Sequence, residues 1–282
     1  MITDIDLDHV AVAVEEQRLA WPRYGGHLSG RWLGGGGTSG FWSAQVTYGN
    51  GMKVEVLEPF EVEQNDFLRR FLDRSGPGPH HLTFKVKDLR GALGLVEEAG
   101  YRPVGVNLDS PWWKEAFLHP KDAPGIVVQL AQSDEGGEWG EDPTPDWFPA
   151  PRTPDAAVLV HVTHAVADMN EATALFVDLL AGSTVASGDE DGVRWIDLAW
   201  PGPGRVRLVA PSETEPSPEL VAWIDDRRGR LHHLAFACSD PSGVPGAVPV
   251  RTGVHEIAPE DNHGVRLLVA ADDTPFAAPV IG

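Results

Sequence analysis

Cysteine is nearly absent from the 282-residue chain: Cys238 stands alone, so neither an internal disulfide nor a cysteine-built metal cluster can form, and a reducing compartment suits it. Basic residues are scarce as well. Lys and Arg number 22 against 42 Asp and Glu, a balance of −20, whereas nucleic acids and anionic membrane faces are bound through clustered cations. No apolar run reaches the roughly 18 residues that span a bilayer, and the opening MITDIDLDHV has neither a basic nor an apolar leader segment. The expectation is a cytoplasmic protein with no nucleic-acid or membrane partner. Glycine and proline, by contrast, fill 31 and 24 positions, which favours many short elements joined by tight turns.

The length allows about two domains, and an internal repeat shows how they divide. MKVEVLEP from Met52 matches GRVRLVAP from Gly204, with Pro59 and Pro211 lying 152 positions apart. At the same offset HHLTFKVKD from His80 lies over HHLAFACSD from His232, and NDFLRRFLDRSG from Asn65 over SPELVAWIDDRRG from Ser217. LDHVAVAV around His9 falls over VTHAVADM around His164 at an offset of 155, and GIVVQLA from Gly125 over GVRLLVA from Gly264 at an offset of 139. Two modules are therefore expected, 1–133 and 156–282. Between them residues 134–155, acidic and Pro-rich, read as a linker whose Trp139, Trp147 and Phe148 tack it onto a surface. Each half-module reads as a strand, a helix and about three strands. Asp88 and Asp168 are placed to cap helices, Asp168 with Glu171 in a capping box. Pro22 and its neighbouring glycines spoil the first helix, and LGGGGTSG, Leu33 to Gly40, reads as a loop or a mobile rim.

Polar residues inside apolar strands are the chemical signal. His9 and His81 lead strands of Val, Leu and Phe, while Glu55 and Gln129 are flanked by valines and leucines. A lone histidine in such a place is more often a satisfied core residue than a ligand, but repetition raises the odds. Burying a carboxylate and an amide without partners costs several kcal/mol. One divalent ion (Zn, Co, Ni, Mn or Fe) would serve all four donors; alternatively, Glu55 is the outward-pointing half of an alternating strand.

LDHVAVAV, VEVLEP, GPHHLTFKV and FLHPKDAPGIVVQL, in that order and spacing, resemble the vicinal oxygen chelate superfamily, and within it methylmalonyl-CoA epimerase, over residues 5–132. The second module resembles it through LHHLAF and the strand before Pro211. The resemblance implies an α+β fold: two tandem modules, each a pair of βαβββ motifs forming a cupped mixed sheet. It implies His9, Glu55, His81 and Gln129 as ligands of one divalent ion, with Gln129 standing where relatives usually have Glu, and His80 as a neighbour. In the second module His164 and His233 would take the histidine places, but Arg207 and Leu268 fall at Glu55 and Gln129. Neither can ligate a cation, so a metal-free companion module is expected.

Three function classes compete. The first is a metal-dependent isomerase, epimerase or lyase that chelates a small carbonyl, carboxylate or acyl-CoA substrate and stabilises an enolate. There Glu55 is ligand or base, and Gln45, on the preceding strand, has no basic form. The second is an extradiol-type dioxygenase. The third is a non-enzymatic binder or drug-sequestering protein, in which some of the ten tryptophans build a stacking pocket. Trp112, Trp113 and Gln45 are the candidate pocket residues, against the alternative that the tryptophans are ordinary packing. A small-molecule partner is expected, in a monomer or homodimer.

Overall fold

The computed structural model describes residues 1–133, 142–273 and 276–281. Its first half is built from β1 (Ile5–Ala13), α1 (Gln17–Trp21), β2 (Arg31–Thr38), β3 (Gly40–Thr47) and β4 (Lys53–Phe60), then α2 (Phe67–Ser75) as a connection. β5 (Gly78–Val86), α3 (Leu89–Glu98), β6 (Pro103–Asn107), β7 (Lys114–Leu118) and β8 (Val127–Gln132) repeat the pattern. The second half follows suit with β9 (Val158–Val166), α4 (Met169–Thr173), β10 (Ser183–Glu190), β11 (Val193–Ala199), β12 (Arg205–Pro211), α5 (Pro218–Ile224), β13 (Gly229–Ala237), β14 (Val248–Arg251), β15 (Val254–Ile257) and β16 (Leu267–Ala270). The result is two eight-stranded mixed sheets with one topology, β2-β3-β4-β1-β5-β8-β7-β6 and β10-β11-β12-β9-β13-β16-β15-β14. This is the α+β, two-module architecture expected from the motifs.

Side-chain alternation decides what each face does. Val10, Val12, Val54, Val56, Leu82, Phe84, Val128 and Leu130 turn to one face of the first sheet and join Trp21 and Tyr24, the apolar side of α3 and the matching face of the second sheet in one continuous core. Phe84 meets Trp200 edge to face, and Tyr48 likewise meets Phe236, across the halves. The opposite face of the first sheet is the cup. One end of it is apolar, with Ala11, Ala13 and Leu57 under Leu68 and Leu72 of α2.

The two sheets meet through reciprocal glycine contacts. A side chain at Gly125 (φ +78°), before β8, would collide with the backbone of Gly229, the first residue of β13; one at Gly264 (φ +75°), before β16, would collide with the backbone of Pro77, just before β5. Each module thus offers the same two places to the other, as the subunits of a twofold dimer do.

Two local expectations are met and one is not. Asp88 accepts from the Gly91 amide, and Asp168 from those of Asn170 and Glu171, so both cap their helices; the Glu171 half of the expected box turns instead to Arg228. Trp147 and Phe148 pack on Trp32, while Trp139 lies outside the described residues. The glycine run, however, is neither loop nor rim: Arg31–Thr38 is an edge strand paired with β3. Its glycines permit close approach, since a side chain at Gly35 would press on Ala44 and one at Gly37 on Trp42 and Phe60. No helix among the described residues is long and apolar enough to cross a membrane.

Candidate metal centre

His9, Glu55, His81 and Gln129 come from the four central strands β1, β4, β5 and β8. Thr83 of β5 lies opposite both His9 and Gln129, and Ala11 of β1 opposite both Glu55 and His81. That register puts all four side chains on the cup face, and all four are buried. One oxygen of Glu55, Oε2, lies 3.5 Å from His9 Nε2 and 3.6 Å from His81 Nε2. Two donors that share one ion at ~2.1 Å in a tetrahedral shell stand about 3.4 Å apart. His81 Nε2 is buried with no hydrogen-bond partner, an expense that a cation in the middle of the group would remove.

Neighbouring groups set the donors' protons. Asp8 accepts from His9 Nδ1 at 2.8 Å and is itself met by Lys53 at 3.0 Å. Burial disfavours charge on Asp8, yet His9, Lys53 and Lys85 prevail and hold its carboxyl well below the usual range. For His9, burial likewise opposes protonation, but Glu55 and Asp8 outweigh it and raise the imidazole to about 9. His81 is pushed well below its ordinary value by burial, then by the neighbouring His80 and His9 rings. Its Nδ1 meets His80 Nδ1 at 2.8 Å, and His80 is held by Phe67 and Phe71. Glu55 Oε1 accepts from Gln45 Nε2 at 3.2 Å, so Gln45 steadies the carboxylate with its other oxygen left for the histidines.

Gln129 stands at the edge of the trio. Its Oε1 accepts from Thr83 Oγ1 at 2.5 Å, and its Nε2 donates to Glu115 Oε2 at 2.7 Å. Thr83 is also 2.8 Å from His9 Nε2. Glu115, on β7, takes a second hydrogen bond from Trp113 Nε1 at 2.9 Å. Burial raises its carboxyl above the usual range, Trp113 and Gln129 pull it back, and Glu55 adds to the rise. Thr83 and Glu115, which hold the two ends of the Gln129 amide, are not among the residues expected from the motifs. Thr83 was available in the sequence, two residues after His81 and so on the same face of the strand; Glu115 needed the β7–β8 register. Lys85 lies over the Trp113 ring at 5.6 Å. Trp112 stays 71% exposed and does not join the group.

The second cup differs in every donor but the histidines, and one of these is not the residue expected. Arg207 pairs with Thr163 as Glu55 pairs with Ala11, which puts His161, not His164, in the place of His9. The offset of 155 is wrong by three, an odd number, so it lands on the other face. There His164 Nε2 bonds the Pro124 carbonyl at 2.6 Å, at the junction of the modules. In the cup Arg207 forms a two-pronged ion pair with Asp197 at 2.6 and 2.7 Å. Arg266 points a donor at His232 Nε2. An arginine only donates, so the His232 proton sits on Nδ1, faces His233 Nδ1 at 2.6 Å, and leaves His233 Nε2 protonated towards Thr163 at 3.0 Å. That tautomer presents no lone pair to the cup. Phe276 and Val280 of the C-terminal segment fill the space over Ala235, Val254 and Leu268.

Residues 8–117 match the Glyoxalase/Bleomycin resistance protein/Dioxygenase superfamily. An ethylmalonyl-CoA/methylmalonyl-CoA epimerase of Cereibacter sphaeroides is 31% identical over 133 residues, which is 45% of this chain and 96% of that protein. Among solved structures, methylmalonyl-CoA epimerase from Mycobacterium tuberculosis is 26% identical with a TM-score of 0.42, covering 46% of this chain and 89% of that one. A mutant 4-hydroxymandelate synthase from Streptomyces coelicolor is similar in fold, with a TM-score of 0.61 and 17% identity, covering 85% of this chain and 72% of that one.

Proposed function

Because the chain belongs to the vicinal oxygen chelate superfamily, we propose that residues 1–133 form a divalent-metal-dependent isomerase, epimerase or lyase acting on a small carbonyl, carboxylate or acyl-CoA substrate. Residues 156–282 are then a metal-free companion. The observation that carries this reading is the convergence of His9, Glu55 and His81, whose ligand atoms lie within 4.8 Å of one another, inside the span 8–117 that matches the superfamily.

A divalent ion bound there would polarise a substrate carbonyl and stabilise the negative charge that grows as a neighbouring C–H proton leaves. The chain's own residues supply the rest. Asp8 holds the Nδ1 proton of His9 and turns Nε2 towards the centre. Gln45 fixes Glu55, which is both ligand and candidate base, Gln45 itself having no basic form. Lys53 and Lys85, gathered at Asp8, give an anionic substrate a local cationic edge despite the −20 balance. The modules already pair within one chain, which suits a monomer.

A second reading, an extradiol-type dioxygenase, draws on the donor set itself, since two histidines and one carboxylate are the set used by non-haem iron oxygenases. Metal analysis comes first: about one ion per chain is expected, lost in His9→Ala with His81→Ala. A metal-free native protein, or an ion retained in that double variant, would overturn the centre. Incubation with 2-carbonyl and acyl-CoA compounds in D2O then separates the classes. Solvent deuterium enters the substrate for an epimerase, oxygen is consumed by a dioxygenase, and neither occurs with a binder.

A further inference from the structure

Glutamine is an ambiguous ligand, because one end of its amide can bind a cation and the other carries only N–H groups. At Gln129 the neighbours make the choice. Glu115 Oε2 takes the indole N–H of Trp113 at 2.9 Å, and an indole only donates. The same oxygen meets the Gln129 amide at 2.7 Å; an ionised carboxylate only accepts, so the amide end that faces it is the NH2. The oxygen end is thereby turned inward, where Thr83 Oγ1 holds it at 2.5 Å and lies 2.8 Å from His9 Nε2.

We propose that Glu115 is a positioning residue for the metal centre: by gripping the nitrogen of Gln129 it presents the amide oxygen to the ion. The inference rests on the reading of the first module as a divalent-metal site. It explains how a neutral side chain can stand at a ligand position usually held by a carboxylate. The charge has moved one strand outward, to β7, where it orients the ligand rather than binding the ion.

The second cup supplies an independent observation. By register, Thr83, Gln129 and Glu115 correspond to Ala235, Leu268 and Val254. All three have become apolar, and they pack together in one cluster under Phe276. Where one member of the trio is missing, so are the others, as expected of groups that work as a unit.

The test is titration of the full-length protein with Co(II), read as affinity and as the visible absorption spectrum of the bound ion. Glu115→Gln keeps the size of the side chain but can face Gln129 with either end, so the amide loses its orientation. Affinity should fall about 10- to 100-fold, with an altered spectrum. Adding Gln129→Glu should restore affinity, because a carboxylate has an oxygen at both ends and needs no orienting partner. If Glu115→Gln binds Co(II) like the native chain, or if the added Gln129→Glu recovers nothing, the positioning role is wrong while the metal centre stands. If the native chain itself binds no Co(II), the centre is wrong and the inference falls with it.

Discussion

Metal binding should release a proton from His9, and the size of the effect follows from the site. Held between Asp8 and Glu55, the imidazole keeps its proton up to about pH 9. His81, pushed well below its ordinary value by burial, is already neutral at pH 7 and releases nothing. At pH 7, two pH units below 9, only about 1% of the metal-free protein has His9 Nε2 ready to ligate, so affinity should be about 100-fold below its high-pH limit, or about 2.7 kcal/mol. It should rise about tenfold per pH unit from pH 6.5 towards 9. Stability of the metal-free chain should run the other way. A histidine whose value is raised on folding stabilises fully below the unfolded value of 6.5, and that contribution, on the order of 3 kcal/mol, is lost as pH climbs through about 9. Calorimetric titration at several pH values, in buffers of different ionisation enthalpy, reads both the affinity and the protons released. An affinity that is flat between pH 6.5 and 8.5, with no proton set free, would refute the assignment of His9 as a ligand held protonated by Asp8 and Glu55.

Two further outcomes concern the second cup. Arg207→Ala strands the Asp197 carboxylate beside a buried vacancy and should cost about 3 kcal/mol in urea unfolding, with metal content unchanged; loss of metal there would place the centre in the wrong module. Phe276→Ala opens the filled cup and should also cost about 3 kcal/mol, again without affecting the ion, and a near-neutral result would mean that the C-terminal segment is not part of the packed structure.

Much of this arrangement was legible in the sequence because a polar residue in an apolar strand is conspicuous. Glu55 among valines and Gln129 in VVQLA needed only the period of two to be placed on a face. The repeat gave the second module for the same reason, since strands that share a register keep their spacing. What escaped depended on contacts between strands. Glu115 lies in the short run KEAFL, whose pattern says nothing about which residue of β8 it will meet. His164 aligns with His9 by its neighbouring letters, but it is His161 that has the right parity, and only pairing with β12 shows which histidine enters the cup. Leu33 to Gly40 read as a loop because glycine disfavours strands on average, whereas here the glycines let an edge strand lie against Trp42 and Ala44.

The reciprocal glycine junction has a consequence for how the two halves can differ. In a pair of separate identical subunits, a substitution acts at both sites at once and the pairing dissolves on dilution. Covalent linkage holds the partner at a fixed, high effective concentration and lets each cup change alone. One cup keeps its donors, two imidazoles and a carboxylate with ligand atoms within 4.8 Å of one another, while the other fills its space with Phe276 and Val280. Since both backs lie in one apolar core, the filled half can act as a rigid abutment that holds the crowded one in register.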